Sequence, residues 1–257
     1  MKELKPEERL IVAADFKPSA EEVKNERKLI TPKKARVWVK EQVLSLADKL
    51  HGTGVYLKVN SALRACGYDL IDEIHDRGLR VFADLKLFDI GHTLGFDGFF
   101  LNESSPEIVT VVCSTGVEAM QALKAELPET EVVGVTVLTT FAESDSDALF
   151  TCSTEQAVLR CAHWGSRAGI GGLVSSAKEL DPLRQKFETM FSFNTPAIRP
   201  LWSVVEGDDQ NPDRIMTPAK AIEAGATRIV IGRPIIRSEN PREAVLRTIE
   251  EIRSVCN

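Results

Sequence analysis

Short runs of apolar, mostly β-branched residues recur along the chain, separated by longer stretches whose apolar positions repeat at helical spacing. The runs are Leu10–Ala14, Val55–Val59, Leu79–Ala83, Ile108–Val112, Val132–Leu138, Ile170–Val174, Thr189–Phe193 and Arg228–Ile231. They are nearly continuous in apolar character rather than alternating, as strands of a parallel sheet buried on both faces are. Helical patterns lie between them, at Lys33–Leu50, Ala62–Arg77, Val117–Leu127, Thr154–Arg167, Lys178–Lys186, Pro218–Ala224 and Pro241–Arg253. Asn240-Pro241 makes a good helix start, because proline at the first helical position gives up only an N–H with no partner inside the helix. Strand and helix in alternation predict an α/β fold closed as a (β/α)8 TIM barrel, one domain over residues 1–257. A doubly wound sheet would need a glycine-rich turn after the first strand, and Asp15-Phe-Lys-Pro-Ser offers none. The polar stretch Lys17–Thr31 reads as a long first βα connection. Glu143–Asp147 and Val205–Asp213 read as mobile loops at the same end of the barrel.

Composition narrows the partners. With 257 residues, 43% hydrophobic and 27% charged, the chain has the make-up of a globular domain with a core of normal size. A net charge of −6 argues against nucleic acid or an anionic membrane as the main partner. A small anion is still compatible, since a few basic groups can hold one phosphate locally. The five cysteines are odd in number and scattered, and the four histidines are far apart. That excludes a disulfide framework and a thiolate zinc site as the leading readings, so no metal is expected. The charged opening Met1–Arg9 is unlike a signal peptide, and no apolar run reaches the ~18–20 residues of a membrane span. A cytoplasmic location is the expectation.

In a (β/α)8 barrel the chemistry sits at the carboxyl ends of the strands. Here those ends carry Asp15, Lys58, Asp84-Leu-Lys86, Thr139 and Gly232-Arg233. One such residue is readily a structural salt bridge; five strands sending ionisable or hydroxyl groups to one rim form a pattern. Asp84 and Lys86 are two apart in an extended segment, so both face the barrel mouth. Carboxylates around Lys86 keep it an ammonium ion, suited to giving a proton to a developing carbanion. Asp89 lies beyond the strand and need not share that pocket; it could project toward a neighbouring subunit. Near the carboxyl end, Asn194-Thr-Pro-Ala-Ile-Arg199, the Gln210 loop and Gly232-Arg233-Pro occupy the positions where such barrels often bind phosphate. Gly232 permits close backbone approach and Arg233 can fork onto phosphate oxygens.

These residues resemble the orotidine 5′-phosphate decarboxylase family over nearly the whole chain, from Ile11-Val-Ala-Ala-Asp15 to Ile231-Gly-Arg-Pro-Ile235. The most specific element is Asp84-Leu-Lys-Leu-Phe-Asp-Ile-Gly-His-Thr93, which is similar to the family's D-x-K-x-x-D-I-x-x-T signature. The resemblance implies cofactor-free decarboxylation of orotidine 5′-monophosphate to UMP and CO2. It implies Lys86 as proton donor to C6, Asp84 beside the substrate carboxylate, Lys58 in the charge array and Asp15 on a ribose hydroxyl. Asp89 and Thr93 would enter the partner's site in a homodimer. Arg199, Gln210, Gly232 and Arg233 would hold the phosphate, and Thr139 would help position the nucleotide. The chain departs from the family's usual pattern at Gly91 for Pro, His92 for Asn, Ala197 for Gly and Cys113 for His, and the Gln210 loop is longer. Thr140 and Ser144 are both candidates for the pyrimidine contact. His92 has no second metal ligand in view, and a strand-end Cys113 is more simply packing than nucleophile. Two rivals share the scaffold. One is an Mg2+-dependent phosphosugar barrel such as a 3-keto-gulonate-6-phosphate decarboxylase or a hexulose-phosphate synthase; the other is a catalytically silent nucleotide sensor.

Overall fold

The computed structural model describes residues 4–17, 31–203 and 216–256. Eight parallel strands close into a barrel in sequence order, β1 pairing with β8 as well as with β2. They are β1 (Leu10–Ala13), β2 (Tyr56–Val59), β3 (Arg80–Leu87), β4 (Ile108–Val112), β5 (Glu131–Val135), β6 (Gly172–Val174), β7 (Ser192–Thr195) and β8 (Arg228–Ile231). This is the predicted fold class.

The strands are apolar on both faces because each has a core to fill. Leu10, Val12, Leu57, Val81 and Ile231 pack outward in the large cluster between sheet and helices. Ile11, Ala13, Tyr56, Phe82, Ile108, Val133 and Val230 form a separate cluster inside the barrel. Below this inner layer, toward the strands' amino ends, the interior is a polar plug. Arg228 pairs with Glu131 at 2.9 Å, Arg80 pairs with Glu8 at 2.9 Å, and the Arg80 guanidinium lies 4.2 Å from the Tyr56 ring centre. Asn194 belongs to this plug: it accepts from Arg228 at 3.3 Å and donates to Ser192. Among the described residues, paired charges fill the bottom of the barrel and apolar side chains the middle, which leaves the carboxyl-terminal mouth open to a ligand.

Three helices begin where a capping side chain precedes proline. Thr31, Thr217 and Asn240 each accept from a backbone N–H three residues on, ahead of Pro32, Pro218 and Pro241. Four expectations are corrected. The helix expected over Ala62–Arg77 is two, Ser61–Cys66 and Asp69–His75, split at Gly67, whose φ of 88° ends the first. β7 starts three residues later than the expected Thr189–Phe193 and ends two later, because Thr189 and Met190 form the turn that ends the preceding helix. Glu143–Phe150 is helical rather than a loop: Asp145 caps the Ala142 N–H at 2.8 Å, and Glu143 accepts from Thr154 N–H and hydroxyl at 2.9 and 2.7 Å. Gly91–Ser104, absent from the helical patterns, is also a helix. Its apolar residues surround it instead of forming one stripe, so it has no helical periodicity to read. Gly98 lets it pack tightly, since a Cβ there would meet Glu126 Cβ at 2.9 Å and the Leu123 carbonyl at 3.0 Å. The expected loop Val205–Asp213 lies outside the described residues, as does most of Lys17–Thr31. Among the described residues, no helix is long and apolar enough to cross a membrane.

Candidate active site

A cavity of about 1160 Å3 opens at the carboxyl-terminal mouth, and the inward alternation of the strands delivers its charges. Along β1, Ile11 and Ala13 face inward, and the same phase carries Asp15 to the rim. Tyr56 brings Lys58 and Phe82 brings Asp84 in the same way, so each charge sits one step above the apolar layer.

The four groups form a continuous alternating row. Lys58 Nζ donates to Asp15 Oδ2 at 3.2 Å and to Asp84 Oδ2 at 3.0 Å, and Lys86 Nζ donates to Asp84 Oδ1 at 2.5 Å. Asp84 is the hub. It also accepts from the Asn60 amide at 3.3 Å and the Thr110 hydroxyl at 3.1 Å. Lys58 is 8% exposed and Asp84 7%, a depth at which an unpaired charge is very costly. Burial by itself raises the Asp84 pKa, but the ammonium groups of Lys58 and Lys86 outweigh it and hold the carboxyl at about 2. Burial lowers the Lys58 pKa, and the attraction of Asp84 and Asp15 reverses that to a net rise. Lys58 and Asp84 are therefore both ionised at neutral pH.

Lys86 reaches this row through unusual backbone. Its φ is 49°, in the left-handed region that a residue with a Cβ seldom adopts, and the β3–β4 register shifts between Ala83 and Leu87. Side chains hold the displaced peptide on both sides. Thr110 Oγ1 accepts the Lys86 N–H at 2.8 Å, and Arg64 donates to the Leu85 carbonyl at 2.5 Å. Thr110 thus bonds the lysine's backbone and its carboxylate partner at once. Such a conformation persists only where the surrounding structure holds it.

Of the residues singled out from the sequence, Asp15, Lys58, Asp84, Lys86, Thr139, Arg199, Gly232 and Arg233 all line this cavity. Asp89 and Thr93 do not. Asp89 is exposed, its backbone is clasped by Thr115, and its Oδ1 accepts the Ile90 N–H at 2.7 Å. Thr140 and Ser144 are exposed and also outside the lining, and Gln210 lies outside the described residues. Ala197 lines the cavity with φ 63°, the conformation for which the family's usual glycine is suited. His92 packs on Phe96, ring centres 5.1 Å apart. Cys113 is fully buried, and contact with the Cys161 thiol and burial raise its pKa well above the usual thiol value, so it is no thiolate nucleophile. Sequence reasoning missed Asn60, Thr110, Trp38, Gln42 and Arg237. Thr110 had one available signal, a polar residue on the inward phase of an otherwise apolar run, and Asn60 had another, its place two residues past Lys58 on the same phase.

A closed parallel barrel whose mouth sets alternating lysines and carboxylates against an arginine-bearing rim defines a barrel built for charged acid–base chemistry on an anionic ligand. The chain belongs to the orotidine 5′-phosphate decarboxylase / HUMPS family, whose sequence model matches residues 8–248. An orotidine 5′-phosphate decarboxylase of Pseudomonas fluorescens is 34% identical over 220 residues, spanning 83% of this chain and 93% of that protein. Another, from Prochlorococcus marinus, is 33% identical over 260 residues, spanning 96% and 98%. Among solved structures, the orotidine 5′-phosphate decarboxylase of Lactobacillus acidophilus superposes with a TM-score of 0.73 at 23% identity, covering 95% of this chain and 99% of that one. The structural likeness speaks for the fold.

Proposed function

We propose that the chain decarboxylates orotidine 5′-monophosphate to UMP and CO2 without a cofactor, completing UMP in de novo pyrimidine synthesis in the cytoplasm. The observation that carries the reading is the Asp15–Lys58–Asp84–Lys86 row, with its hub carboxylate buried and ionised. The reaction breaks the bond from C6 to the carboxylate; CO2 leaves, the electron pair remains on C6, and a proton must replace the lost carbon. The Lys86 ammonium supplies that proton and stabilises the growing negative charge from a fixed position, where preorganised charge is worth more than in water. Asp84 lies beside the substrate carboxylate and fixes both ammonium groups. Asp15 and Lys58 take the ribose, Thr139 helps position the nucleotide, and Arg199, Gln210, Gly232 and Arg233 take the phosphate. Phosphate contacts far from C6 then lend binding energy to the chemical step.

Asp89 and Thr93 complete the site across a twofold interface, each entering the partner's cavity. Phe88, Ile90, Phe96, Phe99 and Phe100, in and beside the helix that carries Thr93, are each more than half exposed. An apolar patch of this kind on one segment marks a protein contact, and a second copy of this chain is the occupant that brings Asp89 and Thr93 to a cavity.

The test is to mix purified protein with orotidine 5′-monophosphate and a chelator and to follow loss of the orotate chromophore. Full turnover with chelator is expected, and activity only with added Mg2+ would favour a phosphosugar barrel instead. Lys86→Ala should abolish turnover while leaving UMP binding within about threefold, because a group acting on the transition state is not needed by the product; near-normal turnover refutes the role of Lys86.

A further inference from the structure

Among the residues lining the cavity, two polar or aromatic pairs come from helices rather than from strand ends. Trp38 and Gln42 lie on helix Pro32–Leu50, and Arg233 and Arg237 belong to the short helix Arg233–Ile236 and its cap. Each pair is four residues apart, the spacing that stacks side chains on one helix face. The side chains of Gln42, Arg233 and Arg237 make no hydrogen bond or ion pair with any described residue. The carboxylates lining the cavity, Asp15 and Asp84, are both engaged by Lys58, at 3.2 and 3.0 Å. No other carboxylate among the described lining residues is available to the two guanidinium groups.

A single guanidinium fork already satisfies two oxygens of one phosphate. Arg237 stands one turn beyond Arg233, a rise of about 6 Å along the helix, so its charge is displaced from the first phosphate position. We propose that Arg237, with Gln42 facing the same cavity, forms a second anion subsite, so that the cavity accepts a pyrimidine nucleoside diphosphate. The α-phosphate sits on Arg233 and the β-phosphate on Arg237, with the Gln42 amide as a further donor. This rests on the nucleotide-binding reading above and adds to it a class of competing ligand: nucleoside diphosphates occupy the substrate's site and inhibit.

The experiment is calorimetric titration of the full chain with UMP and with UDP near 0.15 M salt, where charges beyond about 8 Å are largely screened. It is repeated for Arg237→Gln, Arg237→Lys and Gln42→Ala. The unaltered protein should bind UDP more tightly than UMP. Arg237→Gln should weaken UDP roughly tenfold, as loss of a charge-assisted hydrogen bond does, and change UMP by less than about threefold. Arg237→Lys should recover part of the UDP affinity, keeping the charge without the fork, and Gln42→Ala should weaken UDP more than UMP. Normal UMP binding with no preference for UDP overturns the second subsite alone, as does an Arg237→Gln variant that loses both ligands equally. Failure of UMP itself to bind overturns the nucleotide reading and this inference together.

Discussion

Thr110→Val tests whether Lys86, the proposed proton donor, is held in place by its neighbours. The substitution keeps the volume of a fully buried side chain and removes one hydroxyl. That hydroxyl accepts the Lys86 N–H at 2.8 Å and donates to Asp84 at 3.1 Å, so two bonds are lost together. Leaving the N–H unpaired costs about 1–3 kcal/mol, and the bond to an ionised carboxylate is worth about 1.5–3 kcal/mol. The left-handed backbone at Lys86, itself a cost of about 1–3 kcal/mol, loses one of its two side-chain supports. A net destabilisation of about 2–4 kcal/mol follows if water reaches part of the site, which at roughly 2–4 °C per kcal/mol lowers Tm by about 5–15 °C. The catalytic effect is separate. A shift of even 1 Å in the Lys86 ammonium relative to C6 should lower kcat by about 10- to 100-fold, with KM changed far less. Thermal melts and steady-state kinetics on the same preparation read both. A fall in Tm with kcat within about twofold of the unaltered enzyme would refute the positioning argument, because the hydroxyl would then be structural only.

Three further outcomes are expected. The Asp84 pKa is lowered from 3.8 to about 2, so its ionised form adds stability that is fully present above the unfolded value and lost as pH falls through the folded one. At ~1.4 kcal/mol per pKa unit this is about 2 kcal/mol, and urea midpoints measured from pH 5 to 2 should fall more steeply for the native chain than for Asp84→Asn; parallel curves would contradict it. Gly98→Val places a side chain against Glu126 Cβ and the Leu123 carbonyl, so overpacking should cost at least about 1–3 kcal/mol and lower the urea midpoint. If the proposed dimer forms, Phe96→Glu/Phe99→Glu should convert it to monomers in sedimentation and remove most activity, since under that proposal Asp89 and Thr93 then have no cavity to enter; a dissociated yet fully active enzyme would show the site to be complete within one chain.

Some of the active site is legible residue by residue. Asp84 and Lys86 share one face because side chains in extended backbone alternate, and that local rule was enough to pair them. It does not forecast the φ of 49° at Lys86 or the register shift beside it, because both depend on β4 supplying Thr110 and on Arg64 reaching the Leu85 carbonyl. The inward phase of Asn60 and Thr110 was readable, but their bonds to Asp84 were not, because those depend on which carboxylate the closed barrel buries beside them. The helix Gly91–Ser104 escaped a periodicity argument for a related reason: its inner side packs on Val117–Glu126 while exposed phenylalanines cover much of the rest, so no polar stripe marks it.

Local pattern was sufficient for the alternation of strand and helix, and hence for the closed parallel barrel, because burial on both faces leaves its mark in every strand separately. It was sufficient also for the chemical types at the rim. Which charges meet was decided by closure of the barrel. Asp15 and Lys58 stand 43 positions apart, and Lys58 and Asp84 stand 26 apart, and only the pairing of β1, β2 and β3 brings them within 3.2 Å. The same packing removes water from Asp84 and leaves two ammonium groups as its counter-ions. An ionisable side chain takes its function from that surrounding field, which belongs to the assembled barrel and to no segment of the chain alone.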